Sequence, residues 1–214
     1  MIDAAGIGIG GAAAPFLTLF LVSLGATNLQ IGFLASMPAI AGLVMVLFIG
    51  QIIQNKANLT NWASIGALGA YSGYFFTGLL PFIVPQEKLI LSILIAWGFV
   101  TIPQTLKNVT YPAIVNSIGG EVGRFEFTTR RWSFLGLITT ILTAIVGLVV
   151  EKLNYPFNYQ IVFMILSLGG LVSFFAVRHL NLEDNDHSNA SKKNLKIDLG
   201  DYIRILKEHK EFTV

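Results

Sequence analysis

Charge, histidine and cysteine are what this chain has least of. Charged residues make up 12% of its 214 residues, against roughly 25% in a soluble domain. There is no cysteine, which excludes disulfides, thiolate catalysis and cysteine metal sites within this chain. The three histidines, His179, His187 and His209, all lie in the last part of the chain. They share no i, i+4 spacing and have no acidic triad around them, so no metal site or cofactor is expected. The long apolar runs contain no histidine, and Asp3 is the only acid near one. A catalytic set needs convergent groups such as Ser/His or paired carboxylates, so the chain does not read as an enzyme. A phosphate-binding loop is missing too, and nothing points to a nucleic-acid partner.

Apolar sequence takes up the space. Hydrophobic residues amount to 54% and the mean hydropathy is +0.68. A water-soluble protein of this composition would expose large apolar patches; a lipid bilayer removes that problem. A spanning helix needs roughly 20 predominantly apolar residues. Six stretches qualify: Ala4–Leu24, Ile31–Ile53, Trp62–Val84, Leu89–Asn108, Trp132–Val150 and Tyr159–Val177. Polar or turn-forming residues bound each one, including the charged run from Glu121 to Arg131. The expected fold class is all-α: a polytopic membrane protein with six transmembrane helices over residues 1–178. A cytoplasmic linker with an amphipathic helix is expected over 179–214. There Leu199, Ile203 and Leu206 recur at helical spacing between charges, as in an interfacial helix, and Asp184 to Lys193 reads as a flexible linker.

Basic residues set the orientation. Lys56, the group Arg124, Arg130 and Arg131, and the series from Arg178 through Lys210 all fall on one side of the six crossings; Lys88 and Lys152 fall on the other. The positive-inside rule makes the first side cytoplasmic. Both termini are then inside, in a multi-pass protein of the cell (plasma) membrane. The start, Met1-Ile2-Asp3, lacks the basic region of a signal peptide. The first run therefore reads as a retained span, though its start within the helix fits a clipped beginning.

Small residues mark helix contacts. Gly6 and Gly10, and Gly69 and Gly73, form small-xxx-small pairs, which allow close backbone approach in lipid. The fourth run carries Gln104, Lys107, Asn108 and Tyr111, which share one helical face. An ionisable group at the bilayer centre costs at least ~2.5 kcal/mol. Two readings fit Lys107. It lines a water-filled cavity with Gln104 and Asn108, or it snorkels to the cytoplasmic edge, since a helix counted from Leu89 brings it roughly 27 Å along. Asp3 is read chiefly as interfacial, with a place on a solute path as the alternative.

The order of these features resembles the amino-terminal six-helix half of the major facilitator superfamily. Phe16 through Gly32 is similar to the family's first helix, outer loop and entry to the second helix. Gly50-Gln51-Ile52-Ile53-Gln54-Asn55-Lys56-Ala57-Asn58 stands where the family has Gly-x-x-x-Asp-Arg-x-Gly-Arg. Gly50 matches, Gln54 replaces the acid, and one displaced cation, Lys56, remains. Gly123-Arg124-Phe125-Glu126-Phe127-Thr128-Thr129-Arg130-Arg131 is similar to the arginine-bearing entry to the fifth helix. The resemblance implies secondary active or facilitative transport of a small solute by alternating access, in which one half rocks against another. It implies Gln104, Lys107, Asn108, Tyr111 and Asp3 as solute-path candidates. Lys107 points weakly to an anionic group on the solute. Gly50, Gln54, Lys56, Arg124, Arg130 and Arg131 are gating-loop candidates. Glu121, Arg124, Glu126, Arg130 and Arg131 read either as an inner charge network or as a solvated loop. The implied partners are the bilayer, the solute, and a carboxy-terminal six-helix half or a second copy. A fragment of a longer gene, a dimerising half-size protein and a remnant all fit a half-length chain. The alternative function is that of a non-transporting membrane partner or assembly subunit.

Overall fold

A computed structural model describes residues 1–54 and 58–180, with residues 47, 51–54 and 119–122 described by backbone alone. Among the described residues every regular element is helical: α1 (Ile2–Gly11), α2 (Ala14–Ser23), α3 (Asn28–Gln54), α4 (Leu59–Ile83), α5 (Gln86–Lys152) and α6 (Phe157–Arg178). The amphipathic segment and linker expected over 179–214 lie almost wholly outside the described residues, as does Lys56.

Local chemistry explains the boundaries. The first apolar run is two helices because Pro15, in the first turn of α2, has no N–H to bond back into α1. Helix α2 ends in a Schellman turn: Gly25 takes φ +87°, the Gly25 N–H donates to the Val22 carbonyl at 2.9 Å, and the Ala26 N–H donates to the Leu21 carbonyl at 2.9 Å. Gly25 adopts this left-handed conformation without the steric cost a Cβ would bring. Helix α3 then starts from a reciprocal cap. The Thr27 N–H donates to Gln30 Oε1 at 2.8 Å and the Gln30 N–H to Thr27 Oγ1 at 3.3 Å, the pattern of a capping box.

The fourth and fifth apolar runs are not separated by a loop, as the charged run from Glu121 to Arg131 led us to expect. They belong to the 67-residue α5. Yet the Arg131 guanidinium lies 4.0 Å from the centre of the Tyr111 ring. About twenty residues of straight helix would separate them by about 30 Å, so the helix folds back on itself between these positions. Its arms are the apolar segments Gln86–Ile118 and Gly123–Lys152. The link between the arms, Gly119-Gly120-Glu121-Val122, carries two adjacent glycines, which permit a sharp change of direction.

Among the described residues, five segments are both long and apolar enough to cross a membrane: Ile2–Ser23, Asn28–Val46, Gln86–Ile118, Gly123–Lys152 and Phe157–Arg178. The expected third span, now α4, falls outside this set. Its buried face carries Ser64, Gly66, Tyr71, Gly73, Tyr74, Thr77 and Gly78, which lower its hydropathy. These residues meet protein rather than lipid: α4 packs against α5 and α6. A Cβ on Gly66 would stand 2.8 Å from the Lys107 backbone nitrogen, and one on Gly78 would stand 2.8 Å from the Gln160 carbonyl oxygen. An aromatic cluster ties the elements together. Tyr74 meets Trp97 edge-on at 5.0 Å, and Phe20 meets Phe163 at 5.7 Å. The Trp97 Nε1–H donates to Thr77 Oγ1 at 3.0 Å, so the indole's polar end is satisfied inside the core.

Candidate functional site

Helix α1 enters the bundle with an acid in its first turn. Asp3 is buried within the protein, 8% exposed. Close α1–α6 packing puts it there: Gly6 lies against Gly169 and Ser173. The Asp3 carboxylate accepts hydrogen bonds from Arg131 Nη2 at 2.8 Å and from Ser173 Oγ. Arg131 is 7% exposed and its guanidinium stacks on Tyr111. Its Nε has no hydrogen-bond partner among the described residues. On the first arm of α5, Lys107 Nζ donates to the Tyr71 hydroxyl at 3.3 Å and lies 4.7 Å from the centre of that ring. The Tyr71 hydroxyl reaches the Ile7 carbonyl at 3.4 Å. Residues from α1, α4, both arms of α5 and α6 thus build one buried polar centre with two cations and one anion.

The Lys107 side chain turns into the protein. The first arm of α5 continues to Ile118, about three turns past Lys107, so Asn108 is not the end of the helix. Its ammonium turns inward to Tyr71, which lies midway along α4.

The expected polar stripe divides into two faces. Lys107 and Tyr111 enter the buried centre. Gln104 and Asn108 line a separate cavity of 290 Å³ with Pro38, Gly42 and Val46 from α3 and Thr101, Thr105 and Val109 from α5. Gln104 Oε1 is buried without a hydrogen-bond partner among the described residues. The Thr101 hydroxyl donates to the Gly98 carbonyl at 2.6 Å and the Thr105 hydroxyl to the Thr101 carbonyl at 2.8 Å.

Of the gating-loop candidates, Lys56 and the Gln54 side chain lie outside the described residues. Gly50 is half-buried near the end of α3, and Gln54 is its last residue. Gly123 and Arg124 lie in the second arm of α5, with Arg124 exposed. Arg130 is exposed and pairs with Glu126 at 2.5 Å, an arrangement worth little in solvent. Arg131, its neighbour in sequence, is the one that enters the core. Sequence reasoning missed Tyr71, Ser173 and the three α3 residues. Only Tyr71 carried a signal, as a polar-tipped aromatic between Gly69 and Gly73.

The Tyr71 hydroxyl supports Lys107 measurably. Tyr71→Phe leaves a buried ammonium without its oxygen acceptor, at a cost of ~1–3 kcal/mol. Thermal unfolding in detergent will show a lower midpoint for Tyr71→Phe. The Tyr71→Phe/Lys107→Met pair will lose less than the sum of the single changes.

Among the described residues no three histidine, aspartate or glutamate side chains gather to hold a metal. Comparison of the chain with family models, curated proteins and solved structures gave no match.

Proposed function

We propose that the chain is one half of a secondary active or facilitative transporter that moves a small solute across the cell membrane by alternating access. Its helices would form the amino-terminal half-bundle of a major facilitator fold. The observation that carries the reading is the set Asp3, Arg131 and Lys107 inside a helical bundle whose other buried residues are uncharged. Ionisable groups at such a position are costly, and they mark solute or ion pathways in membrane proteins. Two further features support it. The five apolar segments, which include both arms of the folded-back α5, together with α4 as a further crossing make six, which would return both termini to the same, cytoplasmic side. The Asp3–Arg131–Ser173 contacts also bind α1, α5 and α6 into one body, as a half that rocks as a unit requires.

The test is flux in vesicles containing the complete protein, offered a panel of labelled neutral and anionic small solutes. At least one solute will enter above the level of protein-free vesicles. Replacing Lys107 by Gln together with Gln104 by Leu will reduce that entry by about tenfold, the equivalent of ~1.4 kcal/mol. No flux for any solute, with a stable partner protein co-purifying, would replace this reading with that of a non-transporting assembly subunit. Unchanged flux in the double variant would remove these residues from the path.

A further inference from the structure

The cavity between α3 and the first arm of α5 has a composition that selects its ligand. We infer that it is a binding site for a small, neutral solute rich in hydrogen-bond donors, of the polyol class. Its volume is 290 Å³. At ~30 Å³ per water-sized group, that is room for roughly ten non-hydrogen atoms.

Charge is the first filter. None of the lining residues is ionisable. The nearest cation along the helix, Lys107, spends its ammonium on Tyr71 in the buried centre. An ion entering the cavity would shed water and find no opposite charge, which costs far more than burying a hydroxyl that is hydrogen-bonded.

Hydrogen-bond direction is the second filter. A hydroxyl has one hydrogen to give and two lone pairs. Thr101 and Thr105 each give theirs to a backbone carbonyl, so toward the cavity both can only accept. Gln104 Oε1 is a buried acceptor with no partner among the described residues. Three acceptors therefore wait on one helical face, and the ligand must supply the donors. The Asn108 amide can serve either way. A hydrocarbon chain would leave the Gln104 oxygen unpaired at a cost of ~1–3 kcal/mol.

Shape is the third filter. Pro38, Val46 and Val109 offer an apolar wall for the C–H face of such a molecule. Gly42 adds no side chain to this space; a Cβ there would make only ordinary contact with Thr105 Oγ1, at 3.9 Å. Binding follows from this lining alone; only the description of the ligand as cargo rests on the transport reading.

These 214 residues hold no cysteine, so with any cysteine elsewhere in the protein replaced by serine, one introduced at the exposed Val46 can be read without background. The full-length Val46→Cys protein in membranes is labelled with N-ethylmaleimide, with and without xylitol. Xylitol will slow labelling at least threefold, and xylonate at the same concentration will leave it unchanged. Adding Gln104→Leu will abolish the protection by xylitol. The inference is overturned if Val46→Cys is not labelled, if xylitol gives no protection, if xylonate protects equally, or if protection survives Gln104→Leu. Protection without flux would keep this site and discard transport; flux without protection would do the reverse.

Discussion

Asp3→Ala will destabilise the folded protein by about 3–5 kcal/mol, the cost of leaving one partner of a buried ion pair uncompensated. The substitution removes little volume. Its effect comes from what stays behind: Arg131, 7% exposed, would retain the Tyr111 ring but lose its carboxylate. Ser173 would lose its acceptor as well. Asp3→Asn will be nearly as damaging, because the amide oxygen can serve Ser173 while the amide nitrogen faces the guanidinium. The diagnostic variant is the double change Asp3→Ala/Arg131→Met. With no charge left to strand, it will recover much of the loss, since apolar replacements of buried pairs are often neutral or stabilising. Reversible denaturation in detergent of the four members of this cycle measures the coupling. Additive losses would mean that the two side chains do not meet in the folded protein.

The glycines make a second, sharper prediction because they divide into two classes. A Cβ on Gly6 would stand 2.6 Å from the Ser173 nitrogen and 2.7 Å from the Gly169 carbonyl oxygen. Those atoms are backbone and cannot swing aside. A Cβ on Gly10 would strike the Tyr71 ring, and one on Gly169 would strike the Gly6 carbonyl. Alanine at Gly6 or Gly169 will therefore force α1 and α6 apart. The cost is ~1–3 kcal/mol for overpacking, and it rises because separation also pulls Asp3 away from Ser173. Around Gly136 and Gly147, by contrast, nothing lies within 4 Å. Alanine there will be neutral or will stabilise by ~0.5–1 kcal/mol through reduced chain entropy. Four single variants compared by thermal unfolding give opposite signs for the two classes. Equal effects at all four would remove the α1–α6 contact from the account.

Sequence reading went furthest where one residue type has one physical use. The small-residue pair Gly6 and Gly10 announced a close helix contact. It fell short where only distant chain decides. Arg130 and Arg131 are chemically identical neighbours in a charged run, yet one pairs with Glu126 in solvent and the other with Asp3 in the core. A helix turns about 100° per residue, and which of two adjacent arginines faces inward depends on how the second arm packs on α1. The stripe Gln104, Lys107, Asn108 and Tyr111 was visible as one face. Its division between two compartments follows from α3 packing on one flank and α4 on the other. The α3 side of the cavity left no trace, because Pro38, Gly42 and Val46 are ordinary residues of an apolar helix. Helix α4 was read as a span on length and composition, but its polar and small residues serve protein contacts rather than lipid.

The fold-back of α5 is what places Arg131 beside Asp3, and topology tests it directly. Single cysteines replace Glu87, Arg124 and Lys152, all exposed, in the full chain, and a membrane-impermeant maleimide is applied to each side of sealed membranes in turn. The account predicts that Glu87→Cys and Lys152→Cys are labelled from the same, outer side and Arg124→Cys from the inner side only. Labelling of Glu87→Cys and Lys152→Cys from opposite sides would contradict it, because α5 would then not cross the membrane, turn and cross back.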